Sequence, residues 1–129
     1  MKVNTKLFLF TLFSLIGLDQ VTKYFFYKQI NFGGVFGVGQ GWSWVLLMAA
    51  SLFVVLFFFL NSSNKFEKWG LVIIMSSGIS NMTDRVIMGG VRDFIYWPTL
   101  DVYGNFADLM LFVGVCLVVW SYFMTSRVQ

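Results

Sequence analysis

The chain has 129 residues, of which 58% are hydrophobic and 12% charged, with a net charge of +3. A soluble domain of this size has no core large enough to hide so much apolar side chain, so the composition excludes a water-soluble globule. Histidine is absent and cysteine occurs once, which excludes an intrachain disulfide, a Ser–His catalytic pair and a zinc site. The basic residues do not cluster on a soluble face, so nucleic acid is not an expected partner.

The length allows one domain, residues 1–129. Four apolar segments run from Leu7 to Tyr27, Trp42 to Leu60, Trp69 to Met88 and Phe106 to Met124. A helix needs ~20 residues to cross a hydrocarbon core of about 30 Å. None of the four alternates as barrel strands do. The expected fold is therefore an all-α membrane protein with four transmembrane helices.

Segment one follows Lys2 and Lys6, as a signal peptide would. No small-residue cleavage site ends it, and Asp19-Gln20 falls where one would stand, so it reads as a spanning helix. Asp19 and Lys23 are four apart and share one helix face. The plain expectation is a surface ion pair with Lys23 reaching to headgroups. The functional alternative is a pair that braces a site or meets substrate headgroups.

Between the first two segments lies Gln29 to Gly41, with five glycines from Gly33 to Gly41. A dinucleotide loop needs a preceding strand and a βαβ unit, and here a membrane helix stands on each side. Either this is a flexible connector, or its backbone hydrogen-bonds a substrate peptide. In the second case Gly33 and its neighbours allow close approach, and Asn31 adds a donor and an acceptor. Segment three is unlike the others. Ser76, Ser77, Gly78 and Ser80 permit close packing at a bundle centre. Asn81, Asp84 and Arg85 then share one face at its end. Polar groups at that depth must satisfy one another, so an Asp84–Arg85 network is one expectation. Arg85 held free to bind a phosphate or a substrate carbonyl is the other.

The stretch from Gly89 to Asn105 holds the only proline, Pro98, and the densest charge. Within it, Asp93 follows Arg92 and has that neighbour as its plain partner. Asp108 stands at the start of the last helix, where an acid caps. Taken together the two acids suggest more. Two carboxyls in a low-dielectric site share one proton. One then deprotonates water while the other protonates a scissile carbonyl and later the leaving amine. This cleaves a peptide bond without histidine, cysteine, metal or cofactor. No spacing singles out a Ser–Lys dyad, such as Ser43 with Lys23 or Lys28. Cys116 lies mid-helix and reads as an inert lipid-facing or packing residue.

Lys2, Lys6, Lys65, Lys68 and Arg127 fall on one side of the membrane. Asp19, Asp84, Asp93, Asp101 and Asp108 fall on the other, with Lys23, Lys28, Arg85 and Arg92 as network partners. The expected topology has both termini cytoplasmic and the polar site at the outer face. Trp42, Trp44, Tyr96 and Trp97 fit an outer aromatic belt, and Trp69 and Trp120 an inner one.

At these residues the chain resembles the signal peptidase II family, the bacterial lipoprotein signal peptidases. It carries Asp19-Gln20-Val21-Thr22-Lys23 and Asn31-Phe32-Gly33-Gly34-Val35-Phe36. Then come Asn81-Met82-Thr83-Asp84-Arg85, Gly90-Val91-Arg92-Asp93-Phe94 and Asn105-Phe106-Ala107-Asp108. The blocks follow in family order on four helices. The resemblance implies catalytic roles for Asp93 and Asp108. It implies substrate-binding roles for Asn31, Gly33, Asn81, Arg85 and Asn105, and supporting roles for Asp19, Lys23 and Asp84. The implied substrate is a diacylglyceryl-modified prolipoprotein, cut just before its lipidated cysteine. The implied setting is a four-helix monomer among the lipids of the bacterial inner membrane. The family has a longer segment between its first two blocks, which builds a small extracytoplasmic sheet. Only Tyr24 to Ile30 separates them here, so a reduced or missing sheet is expected. Gly104 stands where the family usually has phenylalanine, and Gly34 where alanine is common. Two rivals remain open: a degenerate relative that binds lipidated peptides without cutting, and a small carboxylate-dependent transporter or channel.

Overall fold

The computed structural model describes residues 4–33 and 41–126. The element order is α1 (Thr5–Phe26), β1 (Gln29–Asn31), α2 (Trp42–Asn61), α3 (Lys65–Met88), β2 (Val91–Asp93), β3 (Ile95–Trp97), β4 (Val102–Gly104) and α4 (Phe106–Ser126). All four expected helices form. Three of them, α1, α2 and α4, are long and apolar enough to cross a membrane. The polar residues of α3 keep it below that threshold. It also starts at Lys65, four residues before the expected Trp69. Asn64 is the cause: its side-chain oxygen accepts from the Phe66 and Glu67 amides at 2.8 and 3.2 Å, capping an extra turn. The loop expected from Asn61 to Lys68 therefore shrinks to Ser62–Asn64. At its far end α3 stops on Gly89, whose φ of 74° is the left-handed conformation of a helix C-cap.

Helix α3 is the hub, packing against α1, α2 and α4. Its contact with α4 is very close. A Cβ placed on Gly70 would lie 2.7 Å from the Gly114 carbonyl oxygen, and one on Gly114 would lie 2.8 Å from that of Gly70. Helix α2 is the opposite case. None of its residues is buried, and it leans on α3 where Leu52 covers Gly78.

The burial pattern is inverted relative to a soluble protein. Asp19, Lys23, Ser76, Ser77, Ser80, Asp84, Asp93 and Asn105 are buried, while Phe10, Phe13, Phe53, Phe57 and Phe112 are exposed. Cys116 is exposed among these apolar faces. Such a surface is at home in lipid.

Where a reduced or missing sheet was expected, the strands form two short antiparallel pairs. β1 pairs antiparallel with β2, with Gln29 opposite Asp93 and Asn31 opposite Val91. β3 pairs antiparallel with β4, with Ile95 opposite Gly104 and Trp97 opposite Val102. The Phe94 amide bonds the Gly104 carbonyl at 2.8 Å, tying the second pair to the first. Of the glycine-rich stretch, Gly34 to Gln40 lies outside the described residues.

Candidate active site

Asn105 and Asp108 form a reciprocal cap at the start of α4. The Asp108 amide donates to Asn105 Oδ1 at 3.2 Å, and the Asn105 amide donates to Asp108 Oδ2 at 2.9 Å. The expected capping role of Asp108 is thus real, and it leaves one carboxylate oxygen over. That oxygen, Oδ1, faces Asn81 Nδ2 at 3.4 Å. The side-chain amide of Asn105 is free to point onward, and its Nδ2 donates to Asp93 Oδ1 at 2.7 Å. One residue therefore holds both acids, Asp108 through its backbone amide and Asp93 through its side chain.

Asp93 ends β2 and is only 2% exposed. Burial pushes its carboxyl up to about 6. The Asn105 hydrogen bond opposes this, the Asp108 charge adds to it, and Lys23 and Asn31 pull it back. A carboxyl at about 6 trades its proton close to neutrality. The expected pairing of Asp93 with Arg92 does not form. Adjacent strand residues point to opposite faces, so Arg92 turns away from Asp93 and towards α3.

There Arg92 meets Asp84. Its Nη2 lies 2.7 Å from Asp84 Oδ1, its Nε lies 3.3 Å from Oδ2, and its backbone amide donates to Oδ2 at 3.0 Å. This carboxylate holds the guanidinium above its ordinary value. The expected Asp84–Arg85 network is therefore replaced by Asp84–Arg92. Successive helix residues diverge by 100°, so one side chain enters the core as the other leaves it. Arg85 Nη2 instead donates to the Gly33 carbonyl at 2.6 Å, and its guanidinium lies 6.0 Å from the Trp44 ring centre. Its Nε is buried without a partner. Gly33 is held in turn, its amide donating to Asn31 Oδ1 at 3.0 Å.

The surface-pair expectation for Asp19 and Lys23 is overturned, because both are fully buried. Lys23 Nζ lies 2.7 Å from Asp19 Oδ2, 3.4 Å from Asp84 Oδ2 and 2.7 Å from Asn81 Oδ1. Three acceptors meet the three protons of the ammonium. Asp19 Oδ2 also accepts from Ser80 Oγ at 2.6 Å, and its Oδ1 accepts from the Ala107 amide at 2.8 Å. Asp19 thereby grips the first turn of α4, one residue from Asp108. Sequence reasoning gave Gln20 no role, yet it knits this layer. Its Nε2 reaches Ser80 Oγ at 2.9 Å and Asp84 Oδ1 at 3.1 Å, and its Oε1 accepts from Arg92 at 2.6 Å. The signal was its place beside Asp19, on the helix face that turns towards α3.

Asn31, Gly33, Asn81, Arg85, Asp93, Asn105 and Asp108 all line one cavity of about 1210 Å³. Every residue expected to be catalytic or substrate-binding is therefore in one place. The three expected supporting residues stand behind that wall. Away from the acids the cavity is apolar, bounded by Leu47, Met48, Val55, Ile74 and Phe112. Such a space suits a ligand with a polar part beside the acids and an apolar part along the helices. Gly104 leaves room for the acids: a Cβ there would lie 2.8 Å from Asp108 Oδ2 and 2.7 Å from Trp97 Nε1.

Comparison with known proteins shows the family. The signal peptidase (SPase) II family model matches residues 11–124. The chain is 31% identical over 127 residues to the lipoprotein signal peptidase of Teredinibacter turnerae, across 85% of this chain and 73% of that protein. It is 33% identical over 94 residues to the lipoprotein signal peptidase of Polynucleobacter necessarius, a match that spans 64% of this chain and 55% of the relative. A solved bacterial membrane enzyme superposes with a TM-score of 0.80 at 20% identity, covering 96% of this chain and 92% of that one, which shows a shared fold. The chain belongs to the signal peptidase II family.

Proposed function

We propose that this chain is an intramembrane aspartic endopeptidase. It removes the signal peptide from diacylglyceryl-modified prolipoproteins by cutting just before the lipidated cysteine. Asp93 and Asp108 are the catalytic pair. The observation that carries this reading is Asn105, which holds the two carboxyls against one cavity.

The pair shares one proton. The ionised carboxyl takes a proton from a water lying between the two acids, and the hydroxide oxygen attacks the scissile carbonyl carbon. The protonated carboxyl gives its proton to the carbonyl oxygen. As the tetrahedral intermediate collapses, the acid that took the water's proton delivers it to the leaving amine. Asp93 at about 6 suits a group that must both give and regain a proton in one turnover. Asn31, Gly33, Asn81, Arg85 and Asn105 orient the peptide through hydrogen bonds. Asp19, Lys23 and Asp84 hold those side chains in place.

In this reading the single domain, residues 1–129, spans the bacterial inner membrane as a monomer. The 24 residues of α3 reach ~36 Å, enough for it to be the fourth spanning helix. Its mid-to-late polar side chains Ser80, Asn81 and Asp84 support that role rather than oppose it, because they bond α1, α4 and β2. Both termini are cytoplasmic, and the acids lie at the outer face. There a lipid-anchored cysteine is held at the depth of the site, with its tails beside the apolar part of the cavity.

The test is a gel-shift cleavage assay on a diacylglyceryl-modified prolipoprotein, with Asp93→Asn and Asp108→Asn run beside the parent. Cleavage by the parent, lost in both variants, is the expected result. Cleavage surviving in both would refute the dyad. Binding without cleavage by folded parent protein would make the chain a non-catalytic relative.

A further inference from the structure

A second cavity of about 410 Å³ lies between α1, α2 and α3. Leu52 borders both it and the cavity of the acids, and covers Gly78, which lines the latter. It exists because α1 and α2 scarcely touch, so the groove between them has α3 as its floor. Its walls are almost wholly apolar: Phe8 and Leu12 from α1, Ala49 and Phe53 from α2, Val72 and Met75 from α3. Nothing in the peptidase chemistry uses this space.

One end of the groove carries a charge. Val72, Met75, Ile79 and Met82 form its floor, a stripe at helical spacing along α3. Lys68 stands one turn before Val72 on the same stripe. Its Nζ lies 5.2 Å from the ring centre of Phe59, which lines the groove at the same end. Phe59 packs edge-on against Phe8, and Phe8 against Trp69, closing that end with aromatic rings. Among the described residues the salt bridges are those of Lys23 and Arg92, so the Lys68 ammonium has no carboxylate partner. The neighbouring Glu67 is taken by Ser62 Oγ at 2.6 Å. This end is level with the ends of α1 and α2 nearest Thr5 and Asn61, where a membrane helix meets headgroups.

We infer that the groove between α1, α2 and α3 is a binding site for an anionic phospholipid, with one acyl chain lying along the α3 stripe and the phosphate paired with Lys68. The lipid belongs to the leaflet on the side of Thr5 and Lys65. It fills the gap that α1 and α2 leave beyond the Phe8–Phe59 contact. The inference needs the membrane setting and is independent of the peptidase reading.

The experiment measures the apparent Tm of the full-length protein in an uncharged detergent, with phosphatidylglycerol or phosphatidylcholine added. Phosphatidylglycerol raises the Tm by ~5 °C and phosphatidylcholine by clearly less. Lys68→Gln removes the difference, and Lys28→Gln, at the opposite end of the bundle, keeps it. Ala49→Phe, which fills the groove, loses the response to both lipids. Equal responses to the two lipids would overturn the site, as would an undiminished preference in Lys68→Gln or an intact response in Ala49→Phe. A Tm rise with a diacylglyceryl peptide that Ala49→Phe abolishes, in the absence of any phospholipid effect, would give the groove to substrate and equally overturn it. None of these readings depends on cleavage.

Discussion

Replacing Asp93 by asparagine should make the protein more stable while making it inactive. Lifting a buried carboxyl from 3.8 to about 6 disfavours its charged form by ~3 kcal/mol, at about 1.36 kcal/mol for each pH unit. The native state holds this proton between about pH 4 and pH 6, where the unfolded chain has already lost it. Stability therefore falls as pH rises through that window, and above it the whole cost of the buried charge is present. Asparagine has no such cost, and its side-chain oxygen can still accept from Asn105 Nδ2. Asp93→Asn should exceed the parent by ~1–3 kcal/mol at pH 8, seen as a Tm higher by ~5–10 °C, and should lose that advantage at pH 4. The assay is thermal unfolding of both proteins in the same detergent from pH 4 to pH 8. A variant less stable than the parent at pH 8, or an advantage that does not shrink with acid, would refute the account of Asp93 as a carboxyl lifted by burial.

Lys23→Met leaves Asp19 and Asp84 short of a buried counter-charge and should cost ~3–5 kcal/mol in thermal unfolding; adding Asp19→Asn should restore part of it, and a single variant within ~0.5 kcal/mol of the parent would contradict the network. Arg92→Lys keeps the charge but loses the two-nitrogen grip on Asp84 and the bond to Gln20, for an expected loss of ~1–3 kcal/mol by the same assay. Gly104→Ala puts a methyl into the space shared by Asp108 Oδ2 and Trp97 Nε1. Its kcat on a prolipoprotein should fall ~10–100-fold with little change in KM, and unchanged kcat would mean the acids tolerate displacement.

Much of this protein can be read from its residues, because helices in lipid announce themselves by length and apolarity. The limits of α2 and α4 lie within two residues of those expected for that reason. Helix α3 was harder to delimit. Its first turn is polar and depends on the Asn64 cap, a local hydrogen bond that hydropathy does not register. The gathering of Asn31, Asn81, Asn105 and the two acids was legible as motifs. The pairing of charges was not. Arg85 and Arg92 both stand next to an aspartate in sequence, and each turns away from that neighbour because adjacent side chains diverge in helix and strand alike. The burial of Asp19 and Lys23 escaped spacing arguments too. An i,i+4 pair looks the same on a lipid face as against α3, and only the acceptors contributed by α3 and α4 distinguish the two.

The bond from the Ala107 amide to Asp19 joins residues 88 apart in sequence. It sets an order of events. Until α4 arrives, Asp19 lacks one of its donors, Asn81 has no Asp108 to meet, and Asp93 has no Asn105. On the proposed reading, a chain part-way through synthesis has Asp93 without Asp108 or Asn105, which meets both acids, so cutting power would come only with the last helix.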